Sequence, residues 1–134
     1  MILNVGDAER MTSEEKAQLI VEAADSKKAR DMALLDLQGH TLMTDYFFIC
    51  TGTSTTHIRT ISDSVVEAMK RAGMGGIRME GYDAATWVLM DYGDVVVHVM
   101  DEEQREFYGL ENFWSAATRV PLPETQPEEA GVPA

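Results

Sequence analysis

Cysteine is nearly missing from this chain. Cys50 is the only one, which excludes an intrachain disulfide and fits a reducing compartment. Basic residues are scarce as well: 11 Lys and Arg stand against 23 Asp and Glu, giving a net charge of −12. A surface of that sign repels a phosphate backbone, so direct nucleic-acid binding is not expected to dominate. A basic protein partner, by contrast, gains encounter rate from the opposed field. No apolar run approaches transmembrane length, and the N-terminus lacks the basic-then-apolar order of a signal peptide. A cytoplasmic protein with no membrane partner is expected. Proline first occurs at Pro121, which leaves glycine to punctuate everything before it.

What is present reads as one domain. The 134 residues are enough to bury roughly two-thirds of the unfolded surface. Thr12-Ser13-Glu14-Glu15 has the form of a capping box, and Ala17, Ile20, Val21 and Ala24 follow at helical spacing, predicting a helix over about 13–28. Met32–Leu37 and Tyr46–Thr51 predict two strands. Ser54 is placed to cap a second helix whose stripe is Ile58, Ile61, Val65, Met69 and Ala72, closed by Gly73. Ile77–Glu80 is a brief strand. Asp101 caps a last helix with the stripe Phe107, Leu110, Trp114 and Ala117. The expected fold is α/β: a single domain with a mixed sheet of about five strands and flanking helices. Residues 1–11 form a lead and 12–118 the domain. Residues 119–134 form an acidic, proline-rich tail expected to be disordered.

Between the third strand and the last helix lies Trp87–His98, WVLMDYGDVVVH, a predicted hairpin. With Tyr92-Gly93 as a two-residue loop, Trp87 faces His98, Leu89 faces Val96 and Asp91 faces Asp94. Alternation then puts all six side chains on one face and Val88, Met90, Val95 and Val97 on the other. The second set is plain core. The first mixes an indole, an imidazole and two carboxylates, a combination that packing alone does not call for. A wider loop keeps Trp87, Leu89 and Asp91 together and moves the rest.

Each conspicuous residue also has an ordinary explanation. Gly52-Thr53-Ser54-Thr55-Thr56, between a strand and a helix, could hold an anion on free amides. It lacks the lysine of a P-loop and the three-glycine fingerprint, and a tight turn with an N-cap accounts for it. Read with the downstream carboxylates it suggests nucleotidyltransferase chemistry, but Asp91 and Asp94 do not sit at alternate positions of one strand as a two-metal centre needs. His40, His57 and His98 are scattered without zinc-ligand spacing. His57 reads as a surface residue, Cys50 as a core thiol, and Tyr108 and Trp114 as packing residues. No nucleophile, base and oxyanion set assembles.

In combination, several stretches resemble the ribosomal silencing factor family, RsfS or Iojap. They are Thr44-Asp45-Tyr46-Phe47, Thr51-Gly52-Thr53-Ser54 with His57, Glu80-Gly81, and Trp87. To these add Asp91-Tyr92-Gly93-Asp94-Val95, Val97-His98-Val99, Arg105, Phe107-Tyr108, Leu110-Glu111 and Trp114. The resemblance spans about 29–115, with departures at Gly75-Gly76, Ala84-Ala85 and Phe113. It implies a nucleotidyltransferase-like topology without the catalytic acids, hence no enzyme, no metal and no cofactor. It further implies a translational repressor that binds the large ribosomal subunit through its fourteenth ribosomal protein. There it blocks joining of the small subunit when nutrients are short, and relatives in organelles are tied to large-subunit assembly. The partner-binding residues carried over by motif are Glu80, Trp87, Asp91, Asp94 and His98. A nucleotide-transferring enzyme and a homodimer joined through the hairpin face are the alternatives.

Overall fold

The structure, a computed structural model, describes residues 11–122; residues 1–10 of the lead and 123–134 of the tail lie outside it. Helix α1, Ser13–Ser26, begins at the capping box: the Glu15 amide donates to Thr12 Oγ1 and the Thr12 amide to the Glu15 carboxylate. Strand β1, Arg30–Asp36, follows a left-handed Lys28 and carries a bulge between Arg30 and Ala33 at Asp31, φ +49°. Strand β2 is Tyr46–Thr51, and α2, Thr55–Arg71, starts from Ser54, whose hydroxyl accepts the His57 amide. Then come β3, Arg78–Glu80, β4, Trp87–Asp91, and β5, Val95–Met100.

With a sixth strand, β6, at Thr118–Val120, the strands form one mixed sheet in the order β3-β4-β5-β2-β1-β6, in which only the central β2–β5 pair is parallel. Helices α1 and α2 pack on one face. Ile20, Ala24, Ile58, Ile61, Val65 and Met69 meet Phe48, Cys50, Val88, Met90, Val95, Val97 and Val99 there in the larger core. The apolar set of the predicted hairpin is thus core, as expected. Cys50 is wholly buried and its thiol is pushed up to about 12 by that burial, so it packs as a small apolar group.

Two expectations need correction. The last helix is not continuous: Gly109 takes φ +55° and divides it into α3, Glu102–Tyr108, and α4, Leu110–Phe113. Glycine enters that conformation with no Cβ to clash. The predicted stripe is divided with it: Leu110, Trp114 and Ala117 pack on the sheet while Phe107 stays 77% exposed. The sheet also has six strands among the described residues rather than about five. Thr118–Val120, whose last two residues the sequence assigned to the tail, form β6 against β1. Three residues are too few to show a period, and the free edge of β1 recruits them.

Candidate functional site

The hairpin forms, with a register two residues from the expected one. Leu89 faces His98, Asp91 faces Val96 and Trp87 faces Met100. The reason is the turn. A two-residue hairpin loop wants φ > 0 at its first position, which Tyr92 resists and Gly93 supplies at +87°. The loop is therefore Gly93-Asp94, with the Tyr92 amide bonded to the Val95 carbonyl at 3.0 Å. A slip of two keeps every strand side chain on its expected face, so Trp87, Leu89, Asp91, Val96 and His98 still share one. Glu80 joins them, directly opposite Leu89 on β3. Asp94 does not. It lies in the turn and reaches Lys16 on α1 at 3.0 Å, toward the helix-covered side.

The shared face is roofed only in part. Over β1 and β2, Leu35, Leu37, Ile49 and Met100 make a second, smaller core with Phe47, Leu110, Trp114 and Ala117. Over β3 to β5, Leu89, Asp91 and Val96 are half-buried and Glu80 is exposed. Trp87 stands at the boundary. Its carbonyl faces Gly81, φ +84°, where any Cβ would collide with it, so the approach to β4 depends on glycine. Arg59 of α2 holds the same loop through the Tyr82 and Asp83 carbonyls, at 3.2 and 2.6 Å.

Trp87 Nε1 donates to His98 Nδ1 at 3.1 Å. Indole nitrogen can only donate, so Nδ1 is bare and the imidazole proton sits on Nε2. His98 is 3% exposed, and burial lowers its pKa to about 4. The ring is neutral, wedged against Phe47 with centroids 4.7 Å apart, and its Nε2 has no hydrogen-bond partner among the described residues. On the outer side Trp87 lies against Tyr108, centroids 4.7 Å apart, and Tyr108 against Phe107 at 4.9 Å. Tyr108 is 50% exposed. An aromatic ridge, Trp87-Tyr108-Phe107, thus borders the open sheet. Sequence reasoning missed its outer half because it assigned Phe107 to a buried stripe and Tyr108 to packing. The Arg-x-Phe-Tyr spacing was visible, but the break at Gly109 decides which way those rings face.

The acids are partly engaged. Asp91 Oδ1 accepts the Gly93 amide at 2.8 Å, bracing the turn, and Arg78 lies opposite Asp91 and pairs with Glu80 at 3.3 Å. Asp91 and Asp94 do not converge. At the other motif, Gly52 is pressed on Ile58, where a Cβ would come within 2.6 Å of its side chain. The Thr53 amide donates to His57 Nδ1 at 2.9 Å and His57 Nε2 bonds the Lys27 carbonyl at 2.8 Å. His57 is a tie between α1 and α2 rather than a plain surface residue, and it takes an amide that an anion would need. Among the described residues, no group of three or more His, Cys, Asp or Glu is arranged to hold a metal ion. No helix there is long and apolar enough to cross a membrane.

Arg105 is a residue whose role the sequence left open. Its Nε and Nη2 clasp Glu111 at 3.0 and 2.8 Å, and Nη1 bonds the Asp31 carbonyl and Thr51 Oγ1 at 2.6 and 2.9 Å. It fixes α3 and α4 to the ends of β1 and β2. The Arg105 hydrogen bond holds the Glu111 carboxyl below its ordinary range.

Comparison with known proteins follows the same lines. Residues 10–133 match the family model RsfS, described as ribosomal silencing factor during starvation. Ribosomal silencing factor RsfS of Halalkalibacterium halodurans is 40% identical over 112 residues, 84% of this chain and 96% of that protein. Mouse mitochondrial assembly of ribosomal large subunit protein 1 is 31% identical across 84% of this chain, which spans 51% of that protein. A crystal structure from Chromobacterium violaceum superposes with a TM-score of 0.76 at 33% identity, over 86% of this chain and 92% of that one.

Proposed function

The chain belongs to the RsfS family of ribosomal silencing factors and has a ribosome-associated role; from that premise we propose that it represses translation by binding the large ribosomal subunit and blocking small-subunit joining. The contact is the fourteenth large-subunit protein, as the family resemblance implies, and the compartment is the cytoplasm. A part in large-subunit maturation goes with the same binding, in keeping with the name of the mouse relative. The observation that carries this reading is the open half of the sheet face with its aromatic ridge. Rigid aromatics beside half-buried aliphatics are the usual anchors of a protein interface. Glu80 and Asp91 lie on that same face, in a chain of net charge −12, and suit a basic partner.

We read the site as a binding surface rather than a catalytic one, since among the described residues no reacting set converges on it. Co-sedimentation with purified large subunits, followed by a joining assay with added small subunits, tests the proposal. Binding to the large subunit and a dose-dependent loss of joined ribosomes are expected; joining unaffected at saturation would refute the mechanism. With nucleoside triphosphates and magnesium or manganese no turnover is expected. Turnover that Asp91→Asn abolishes would favour the enzyme instead.

A further inference from the structure

Far from the ridge, the loop between β1 and β2 holds the two most exposed apolar side chains among the described residues. Leu42 is 105% exposed and Met43 87%. A single exposed leucine is unremarkable, but two large apolar neighbours fully outside on a well-fixed loop are not. The loop is fixed at its base. The Leu37 amide bonds the Asp45 carbonyl at 2.8 Å, the His40 and Thr41 amides cap the Leu37 carbonyl at 2.8 and 3.2 Å, and the Gln38 amide meets Asp36 Oδ1 at 3.0 Å. At the tip the Met43 amide donates to Thr41 Oγ1 at 3.2 Å. Leu37 and Thr44, on either side, are buried. The loop thus holds the side chains at 42–43 out between buried positions.

Their surroundings are acidic. Asp36 and Asp45 flank the loop, and together with Glu14 they act on the buried Tyr46 hydroxyl at its base, which burial first and these charges second hold above its ordinary range. The neighbouring cation, Lys16, is paired with Asp94. An apolar tip flanked by two carboxylates repels a phosphate backbone, an anionic membrane and a second copy of the same loop, and fits an apolar pocket in a basic protein. Position adds to this. The Asp45 and Tyr46 amides both bond the Asp94 carbonyl, at 3.0 and 3.1 Å, so the loop adjoins the β4–β5 turn. Trp87 begins β4 at the opposite end, roughly 13 Å away by strand rise alone.

We propose that Leu42 and Met43 form a second docking point, seated in an apolar pocket of the basic large-subunit protein face that the Trp87 surface meets. This rests on the function proposed above. Two contacts held apart by a rigid sheet raise each other's effective concentration, so losing either weakens the whole.

The test compares Leu42→Ser/Met43→Ser with Phe107→Ser for binding to purified large subunits, with thermal melting of each variant. The double variant is expected to bind tenfold or more weakly with an unchanged melting temperature. Unchanged binding by the double variant beside weakened binding by Phe107→Ser would overturn the second docking point and leave the ribosomal reading standing. Unchanged binding by both would overturn the second docking point and exclude the ridge as well, whereas no binding by the unmodified protein would overturn the ribosomal reading and this proposal with it. Sedimentation equilibrium of the free protein and flotation with phosphatidylcholine vesicles test the other occupants. A loss of self-association or of vesicle binding in the double variant, with subunit binding intact, would assign the loop elsewhere. Should the double variant melt early, Met43→Gln keeps length and removes the apolar end, and the same outcomes decide.

Discussion

Over β1, β2 and the far end of β5 the outer face of the sheet lies under α3 and α4; over β3, β4 and the start of β5 the same face is bare. The covered half contains Leu35, Leu37, Ile49 and Met100 with hardly any exposure, sealed by Leu110, Trp114 and Ala117. The bare half contains Leu89, Asp91 and Val96 half-buried and Glu80 exposed. Strand pairing continues across both halves, so the difference does not come from a break in the sheet. It comes from where the chain turns back after α3. Gly109 ends that helix and α4 follows over β1 and β2, while Phe107 and Tyr108 are left at the border. One glycine thus separates a core from a surface suited to binding.

The largest effect should come from releasing the cover. Arg105 and Glu111 are mostly buried, with side chains 14% and 25% exposed, and removing one partner of such a pair leaves the other charge uncompensated. Arg105→Ala is expected to cost about 3–4 kcal/mol in urea unfolding, near the low end for a buried pair because some solvent reaches both. It should also expose Trp114, seen as a red shift of tryptophan emission before the main transition. A loss under 1 kcal/mol would mean that the apolar contacts alone hold α3 and α4 down, and that the clamp is incidental.

Acid should attack the boundary between the halves next. His98 has a pKa near 4 in the fold against an ordinary 6.5, so the unfolded chain takes up its proton first. Its contribution is whole above pH 6.5, falls as pH drops from 6.5 to 4, and is fully lost below; the loss amounts to about 3 kcal/mol. Glu111, whose carboxyl is held low, loses its contribution as pH falls below the ordinary carboxylate range, so the two run in the same direction. The His98 effect is local: a protonated Nδ1 cannot accept the Trp87 indole proton. Unfolding free energies measured between pH 4 and 7 should slope for the unmodified protein and flatten over that window in His98→Gln. A flat profile in both would show that the imidazole is solvated and that the border is looser than drawn.

Trp87 itself separates the halves poorly. It packs on the covered core, bonds His98, and supports Tyr108, so Trp87→Ala removes stability and surface together. Phe107 is the sharper probe, because it is 77% exposed and touches the ridge through Tyr108. Phe107→Ser should leave unfolding within about 0.5 kcal/mol. It should weaken large-subunit binding tenfold or more, equivalent to about 1.4 kcal/mol. Full binding by this variant would confine the contact to the sheet and exclude the ridge.

Much of this arrangement could be read from residue patterns, and the failures share a cause. The caps at Thr12, Ser54 and Asp101 and the stripes of the two long helices depend on neighbours within four positions, and each was found where local chemistry put it. The faces of the hairpin survived a wrong register because the slip was even. What local pattern could not supply was anything set by a distant partner. The strand at 118–120 exists because β1 has an open edge, Phe107 is exposed because the chain breaks two residues later, and Arg105 is a clamp because the Asp31 bulge and Thr51 meet it from two strands. His57 reads as a surface residue in the sequence because Lys27, thirty positions earlier, is invisible in its neighbourhood.

The smallest effect concerns the two aspartates that flank the turn. The sequence places them opposite one another on the outer face of the hairpin; the structure puts Asp91 on that face and gives Asp94 to Lys16, on the side covered by α1 and α2. The comparison of halves therefore predicts different outcomes for two chemically identical changes. Asp94→Asn should lose about 0.5–1 kcal/mol of stability, the worth of a partly exposed ion pair. A double-mutant cycle with Lys16→Gln should assign that loss to the pair, and subunit binding should stay unchanged. Asp91→Asn keeps an oxygen for the Gly93 amide, so it should fold normally. It should nonetheless slow association with large subunits, by a margin that shrinks as salt screens the lost attraction. Equal slowing by both variants would show that the field of the whole acidic surface steers the encounter and that the bare half holds no privileged charge.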